Sequence, residues 1–323
     1  MTRSNQEHEP ATASAVATAA SDSVAVAAEE TPASKVKADK TVSRRFEFLY
    51  FAIRNKKLIF GLSVVGICLL IAIIGPFFSR TQPAIYTTTL SSKPSSHYWL
   101  GTNLFGQDIY AQFVAGMRSA FLIGVLGGAI AAIVGMLVGF TAGYRAGIVD
   151  EILSMLTNIF LVIPAFAVLL VVAGFLNNLS IPTEALLVGL LSWPWAARAL
   201  RAQTFSLVAR DFIGMARLSA QSSWRIIFRE IAPNMSSYLF MMFILLFGGA
   251  ILISATIDFI GLGPTTTYTL GKMMNDAAIN SGLVLGMWWW FIPPGIAITA
   301  IVGGLYIMNV GLDEVFNPKL REL

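Results

Sequence analysis

Six apolar runs constrain this chain more than anything else in it: Leu58 to Phe78, then about 120–143, 151–175, 185–201, 235–257 and 284–310. The hydrocarbon core of a bilayer is crossed by roughly 20 residues of helix, and five of the six runs reach that length. The fourth is shorter. Trp193-Pro194-Trp195 near its end suits a membrane interface, Arg198 stands at its rim, and Pro194 is expected to kink it. The fold class expected is therefore an all-α integral membrane protein with six transmembrane helices. Composition agrees, with 56% hydrophobic and 12% charged residues and a mean hydropathy of +0.70, where a soluble domain carries roughly 25% charged residues.

Basic residues give the orientation. With the N-terminus inside, only Arg80, Lys93, Arg118 and Lys272 of the 22 lysines and arginines fall outside. The positive-inside rule then places both termini in the cytoplasm. Residues 1–42, rich in Ala, Ser, Thr, Val and Glu without periodicity, read as a disordered cytoplasmic tail, and 43–323 as the transmembrane domain. The formal net charge of +4 is no footprint of nucleic-acid binding. Cys68 is the sole cysteine, so no internal disulfide forms.

One polar interruption, the loop at about 202–234, is too charged to be a span. Arg198, Arg201, Arg210, Arg217, Arg225 and Arg229 crowd it and its approach. Apolar side chains recur at Phe212, Met215, Ala216 and Leu218, then at Trp224, Ile227, Phe228 and Ile231. That spacing predicts two short amphipathic helices, broken near Gln221-Ser222-Ser223 and stopped at Pro233. Such a segment lies on a membrane surface or docks onto a partner.

The stretch Arg210-Asp211-Phe212-Ile213, then Ala216-Arg217, then Trp224-Arg225-Ile226-Ile227-Phe228-Arg229 with Ile231, Pro233 and Asn234, resembles the cytoplasmic coupling loop of permease subunits of ATP-binding-cassette importers. It is most similar to the branch that imports oligopeptides, dipeptides, nickel chelates and some oligosaccharides. Gly214 replaces the usual glutamate, Ala220 the usual glycine and Glu230 a frequent histidine. Further signatures of the branch are resembled by Leu100-Gly101-Thr102-Asn103-Leu104-Phe105-Gly106-Gln107-Asp108, where Asp108 can cap the following helix, and by Phe259 to Pro264. Trp288-Trp289-Trp290 with Pro293-Pro294-Gly295, and Gly311 to Arg321, match the branch's last span and ending. The tryptophans are expected at the headgroup level, and the Pro-Pro-Gly is expected to loosen the start of that span. Together these cover about residues 50 to 323.

The resemblance implies the type I importer permease fold and an oligopeptide as the solute, with an oligosaccharide as the alternative. It also implies a homologous second permease, one or two cytoplasmic ATPase subunits and an extracytoplasmic solute-binding protein as partners, in the bacterial cytoplasmic membrane. The coupling residues it implies are Asp211, Phe212, Gly214, Met215, Ala216, Arg217, Ala220, Trp224, Arg225, Phe228, Arg229 and Glu230. From the residues alone, a helix bound to anionic lipid reads the same loop equally well. No nucleophile–base pair, zinc motif or phosphate-binding loop is present, so the chain is expected to be no enzyme and to bind no cofactor itself, ATP and Mg belonging to the partner ATPases. The six runs hold no charged residue away from their ends, only Glu151 and Arg198 approaching the boundaries. That argues against ion coupling, although an ATP-independent channel or carrier, or a membrane scaffold, stays open. Asn158, Ser254 and Thr256 are the candidate pathway-lining groups, each equally suited to packing spans together.

Overall fold

The structure, a computed structural model, describes residues 51–176 and 179–316. The tail at 1–42, Arg44 and Arg45, and the ending Asn317 to Arg321 lie outside the described residues. Helix α1 spans Lys56–Phe78 and starts where the Asn55 side chain accepts the Leu58 amide at 2.9 Å. Helix α2, Ile109–Arg145, starts on Asp108, whose carboxylate accepts the Tyr110 amide at 2.9 Å. The cap expected of Asp108 is thus present, and the helix it opens runs unbroken for 37 residues.

The third run is not one straight helix. It divides into α3, Gly147–Val162, and α4, Ala165–Phe175, bent by 74°. Pro164 causes the break: its ring disfavours helical backbone at the preceding residue, and Ile163 is extended at φ −71° and ψ 127°. Helix α5, Ile181–Val208, carries Pro194 inside it and extends well beyond the short apolar run at 185–201. Next come α6, Asp211–Leu218, and α7, Ser223–Ile226, which widens into a π-turn at Ile227–Ile231 and a helical turn at Ala232–Asn234. Helix α8 is Ser236–Ile260, α9 Leu270–Ile279 and α10 Trp288–Phe316.

Helices α1, α2, α8 and α10 are each long and apolar enough to cross a membrane, and the bent pair α3–α4 makes a fifth if it is one span. Helix α5 is long enough but carries Glu184, Arg198 and Arg201 and falls below that apolarity.

Small residues hold the bundle together. On α2, Gly135, Gly139 and Gly143 stand one turn apart against α5: a Cβ on them would come within 2.7 Å of Ala196 Cβ, the Ala197 carbonyl oxygen and Thr204 Cβ respectively. Helix α1 meets α10 as closely, a Cβ on Gly61 falling 2.5 Å from the Gly304 carbonyl oxygen. Without a hydrophobic drive between helices in lipid, such close backbone approach supplies the dispersion contact that joins them.

The segment before α2 and the one between α8 and α10 close over the same end of the bundle. Gln107 accepts from the Asn103 and Gln112 amides at 2.8 and 2.9 Å and donates to the Tyr268 hydroxyl at 3.0 Å. Trp289 Nε1 reaches the Thr102 carbonyl at 3.4 Å. This cap sets the surroundings of the three tryptophans. Trp288 is half exposed, whereas Trp289 and Trp290 are buried in the main core, because consecutive residues on a helix point about 100° apart and the cap covers two of the three directions.

Candidate functional site

The other end of α2 carries the polar interruption. Ile213 and Ala216 of α6 point inward, with Ile226, Ile227, Ile231 and Met235, onto Phe140 and Tyr144 of α2 and Leu200 of α5. One face of the segment is thus built into the bundle. Its opposite face is bare: Leu218 is 89% exposed and Met215 63%, and Trp224 and Phe228, stacked at 5.9 Å between ring centroids, are about half exposed. The Arg217 guanidinium lies 5.1 Å from the centre of the Tyr144 ring, a cation–π contact that pins the end of α6 to α2.

Local chemistry explains both ends of α6. Its C-terminus closes as a Schellman motif: the Gln221 amide donates to the Ala216 carbonyl at 3.4 Å and the Ala220 amide to the Arg217 carbonyl at 3.0 Å. The motif requires a left-handed residue, and Ala220 adopts φ +53°. That is why a glycine suits this position, and this chain carries a Cβ there instead. Gly214 is exposed with no atom within 4 Å of the place a Cβ would take, so nothing within the chain substitutes for a longer side chain. Pro233 does not stop the helix. The backbone widens first into the π-turn, whose i→i+5 bonding, as from the Ala232 amide to the Ile227 carbonyl, lets a residue without an N–H enter. The interruption comes two residues later at Met235, with φ −105° and ψ 7°.

The expected coupling residues thus separate. Asp211, Gly214, Met215, Arg217, Ala220, Trp224, Arg225, Phe228 and Arg229 are exposed, Phe212 and Glu230 are half-buried, and Ala216 is buried. Phe212 packs against the core rather than presenting itself outward. Leu218, absent from the expected set, is the most exposed apolar residue of α6, and its place three residues after Met215 on one helical face was the available signal.

The three pathway candidates lie in different settings. Asn158 borders a polar cavity of about 140 Å³ between α2, α3 and α5. Ser254 is buried with its hydroxyl 3.5 Å from Asp258, and Thr256 is exposed with its hydroxyl on the Leu252 carbonyl.

Sequence reading missed a buried acidic pair. Glu184 of α5 and Asp258 of α8 face one another, 1% and 2% exposed. Among the described residues, neither Glu184 oxygen and only one Asp258 oxygen finds a hydrogen-bond partner. Both lie just outside the apolar runs read from the sequence, and they enter helices because α5 begins four residues before its run and α8 ends three residues after its own.

The described residues thus form a bundle of long apolar helices with one polar segment folded back on its end, one face seated and one face open. Residues 135–322, more than half of the chain, match the family model of the binding-protein-dependent transport system inner membrane component, and the chain belongs to that family, which has the type I importer permease fold. It is similar to the dipeptide transport system permease protein of Alkalihalophilus pseudofirmus, 29% identical over 272 residues, which cover 83% of this chain and 88% of the relative. It is also similar to the oligopeptide transport system permease protein of Mycobacterium bovis, 29% identical over 284 residues, 87% of this chain and 97% of the relative. A putative peptide permease protein of Brucella suis is 28% identical over 269 residues, with coverages of 83% and 88%. The chain is a multi-pass membrane subunit of a transporter and not itself an enzyme.

Proposed function

We propose that this chain is one of two permease subunits of an ATP-driven importer of oligopeptides, and that α6 with the turn after it is where ATPase motion enters. The observation that carries the reading is the bare apolar face of Met215, Leu218, Trp224 and Phe228 on a segment outside the spans. Four large apolar side chains around exposed Arg225 and Arg229 make an anchor for a protein groove. The peptide as solute follows from the relatives, whose names are those of dipeptide and oligopeptide permeases.

In this reading α5 is the sixth span, with Glu184 just before its apolar run and Arg198 and Arg201 at the end of that run, and the distribution of basic residues supports a cytoplasmic position for both termini and α6. ATP and Mg bind on one or two kinds of cytoplasmic ATPase subunit, a second homologous permease completes the pore, and an extracytoplasmic binding protein delivers the solute. Closure of the ATPases pushes α6 and rocks the spans between inward-open and outward-open states.

The test is uptake of labelled tripeptide and, in parallel, of a neutral trisaccharide into proteoliposomes carrying the complete complex. ATP-dependent uptake of the peptide alone is expected. Uptake that continues without the ATPase subunits would make the protein a carrier or channel, and uptake of the sugar alone would overturn the solute.

A further inference from the structure

Helix α3 gathers its polar side chains, Asp150, Glu151, Ser154, Thr157 and Asn158, into one stripe. Glu151, Ser154 and Asn158 follow one another at i, i+3 and i+7, the spacing of a single helical face. That face borders two adjoining hollows. One, wide open and of about 620 Å³, lies against the surface of α3 alone, along Glu151, Ser154 and Asn158 and their apolar neighbours. The other, of about 140 Å³, passes Asn158 and reaches Arg198 and Arg201 of α5.

The two arginines differ in kind. Arg201 is locked: its Nε and a terminal nitrogen hold both oxygens of Asp150 at 2.5 and 2.6 Å, and Ser154 donates to the same carboxylate at 3.0 Å. Arg198, one turn away, is exposed and forms no ion pair among the described residues; nor does Glu151. The Asn158 amide is exposed and makes no hydrogen bond among the described residues. A cation, an amide and an anion, each without a partner among the described residues, therefore share one wall at the edge of the helix pair.

We propose that this wall binds the solute as a zwitterion, Arg198 taking a peptide's C-terminal carboxylate, Asn158 its backbone amide and Glu151 its terminal ammonium. The assignment rests on the importer reading above and deepens it. Charge supports it: an oligosaccharide offers neither terminus, whereas every linear peptide offers both. The floor beneath is rigid, because Gly139 and Gly143 bring the α2 backbone directly onto α5 below Arg198.

The test uses the complete complex in lipid nanodiscs without the solute-binding protein, and equilibrium binding of radiolabelled trialanine, its C-terminal amide and its N-acetyl form. The intact complex is expected to prefer trialanine over each blocked form by on the order of tenfold or more, the scale of one charge-assisted hydrogen bond. Arg198→Gln is expected to abolish the preference over the amide alone, and Glu151→Gln the preference over the acetylated form alone. Equal binding of all three peptides, no binding at all, or a preference unmoved by either substitution overturns the proposal. Gel filtration of the variant complexes guards the interpretation: if Arg198→Gln releases the second permease, the arginine belongs to the subunit interface and the proposal falls. ATP-driven uptake of trialanine without these preferences would sink the wall alone, whereas absence of any ATP-driven uptake would sink the importer reading.

Discussion

Replacing Met215 and Leu218 together by aspartate isolates the docking face from the fold. Full burial of a leucine or methionine side chain contributes about 1.5–3 kcal/mol. Leu218 is 89% and Met215 63% exposed, so covering them in a groove contributes about 1.3–2.7 and about 0.9–1.9 kcal/mol respectively. Their joint loss, about 2–4.5 kcal/mol, weakens docking between ~30-fold and ~2,000-fold. The assay is titration of the purified ATPase subunit onto nanodisc-held permease subunits, read by interferometry, with thermal unfolding alongside. Unfolding is expected to stay within about 0.5 kcal/mol of the parent, since neither side chain supports the core. Ile213→Asp, by contrast, puts a charge among Phe140, Leu200 and Ile226 and is expected to unseat the segment. Docking of the double variant within threefold of the parent would refute the reasoning, because the face would then stay uncovered in the complex.

Four further substitutions test the packing. Gly61→Ala places a methyl 2.5 Å from the Gly304 carbonyl and is expected to cost about 1–3 kcal/mol, while Gly66→Ala, with nothing within 4 Å, is neutral or stabilising by thermal unfolding. Glu184→Gln replaces a buried carboxyl group that lacks a donor and faces that of Asp258, so its unfolding temperature is expected to hold or rise; a fall of several degrees would reveal a partner for the Glu184 carboxyl group. Gln107→Leu leaves Asn103, Gln112 and Tyr268 without their shared partner and is expected to cost about 1–3 kcal/mol per stranded buried group, read as faster hydrogen exchange in the cap before α2.

Much of this architecture can be read along the chain, because length and apolarity are local properties. The long runs become α1, α2, α8 and α10, and Asp108 caps where a capping residue is expected. What fails is decided by packing. Trp289 and Trp290 read as interface anchors until Thr102 and the cap fold over them. Glu184 and Asp258 read as loop residues because hydropathy drops where they stand, yet helical hydrogen bonding continues past the drop and carries both inside. The bend at Ile163-Pro164 had a local signal, the extended preference of any residue before proline, masked by the apolarity on both sides. In the α6 segment, periodicity places Ile213 and Ala216 on one face and Met215 and Leu218 on the other. Which face is covered depends on Phe140 and Tyr144, some seventy residues earlier.

The glycine contacts of Gly135, Gly139 and Gly143 have a mechanical consequence. Helix α5 is a strut about 42 Å long by its 28 residues. It is gripped near its middle and inner part by backbone against backbone, and it carries Glu184 at one tip and the start of the α6 segment at the other. With no compressible side chains at the grip, a sideways push at the α6 tip cannot be absorbed as local slack. About 3 Å of travel there, pivoting near mid-length, becomes a tilt of roughly 8° and a comparable opposite excursion at the Glu184 tip. On the importer reading, the strut is a first-class lever whose bearing is three missing side chains.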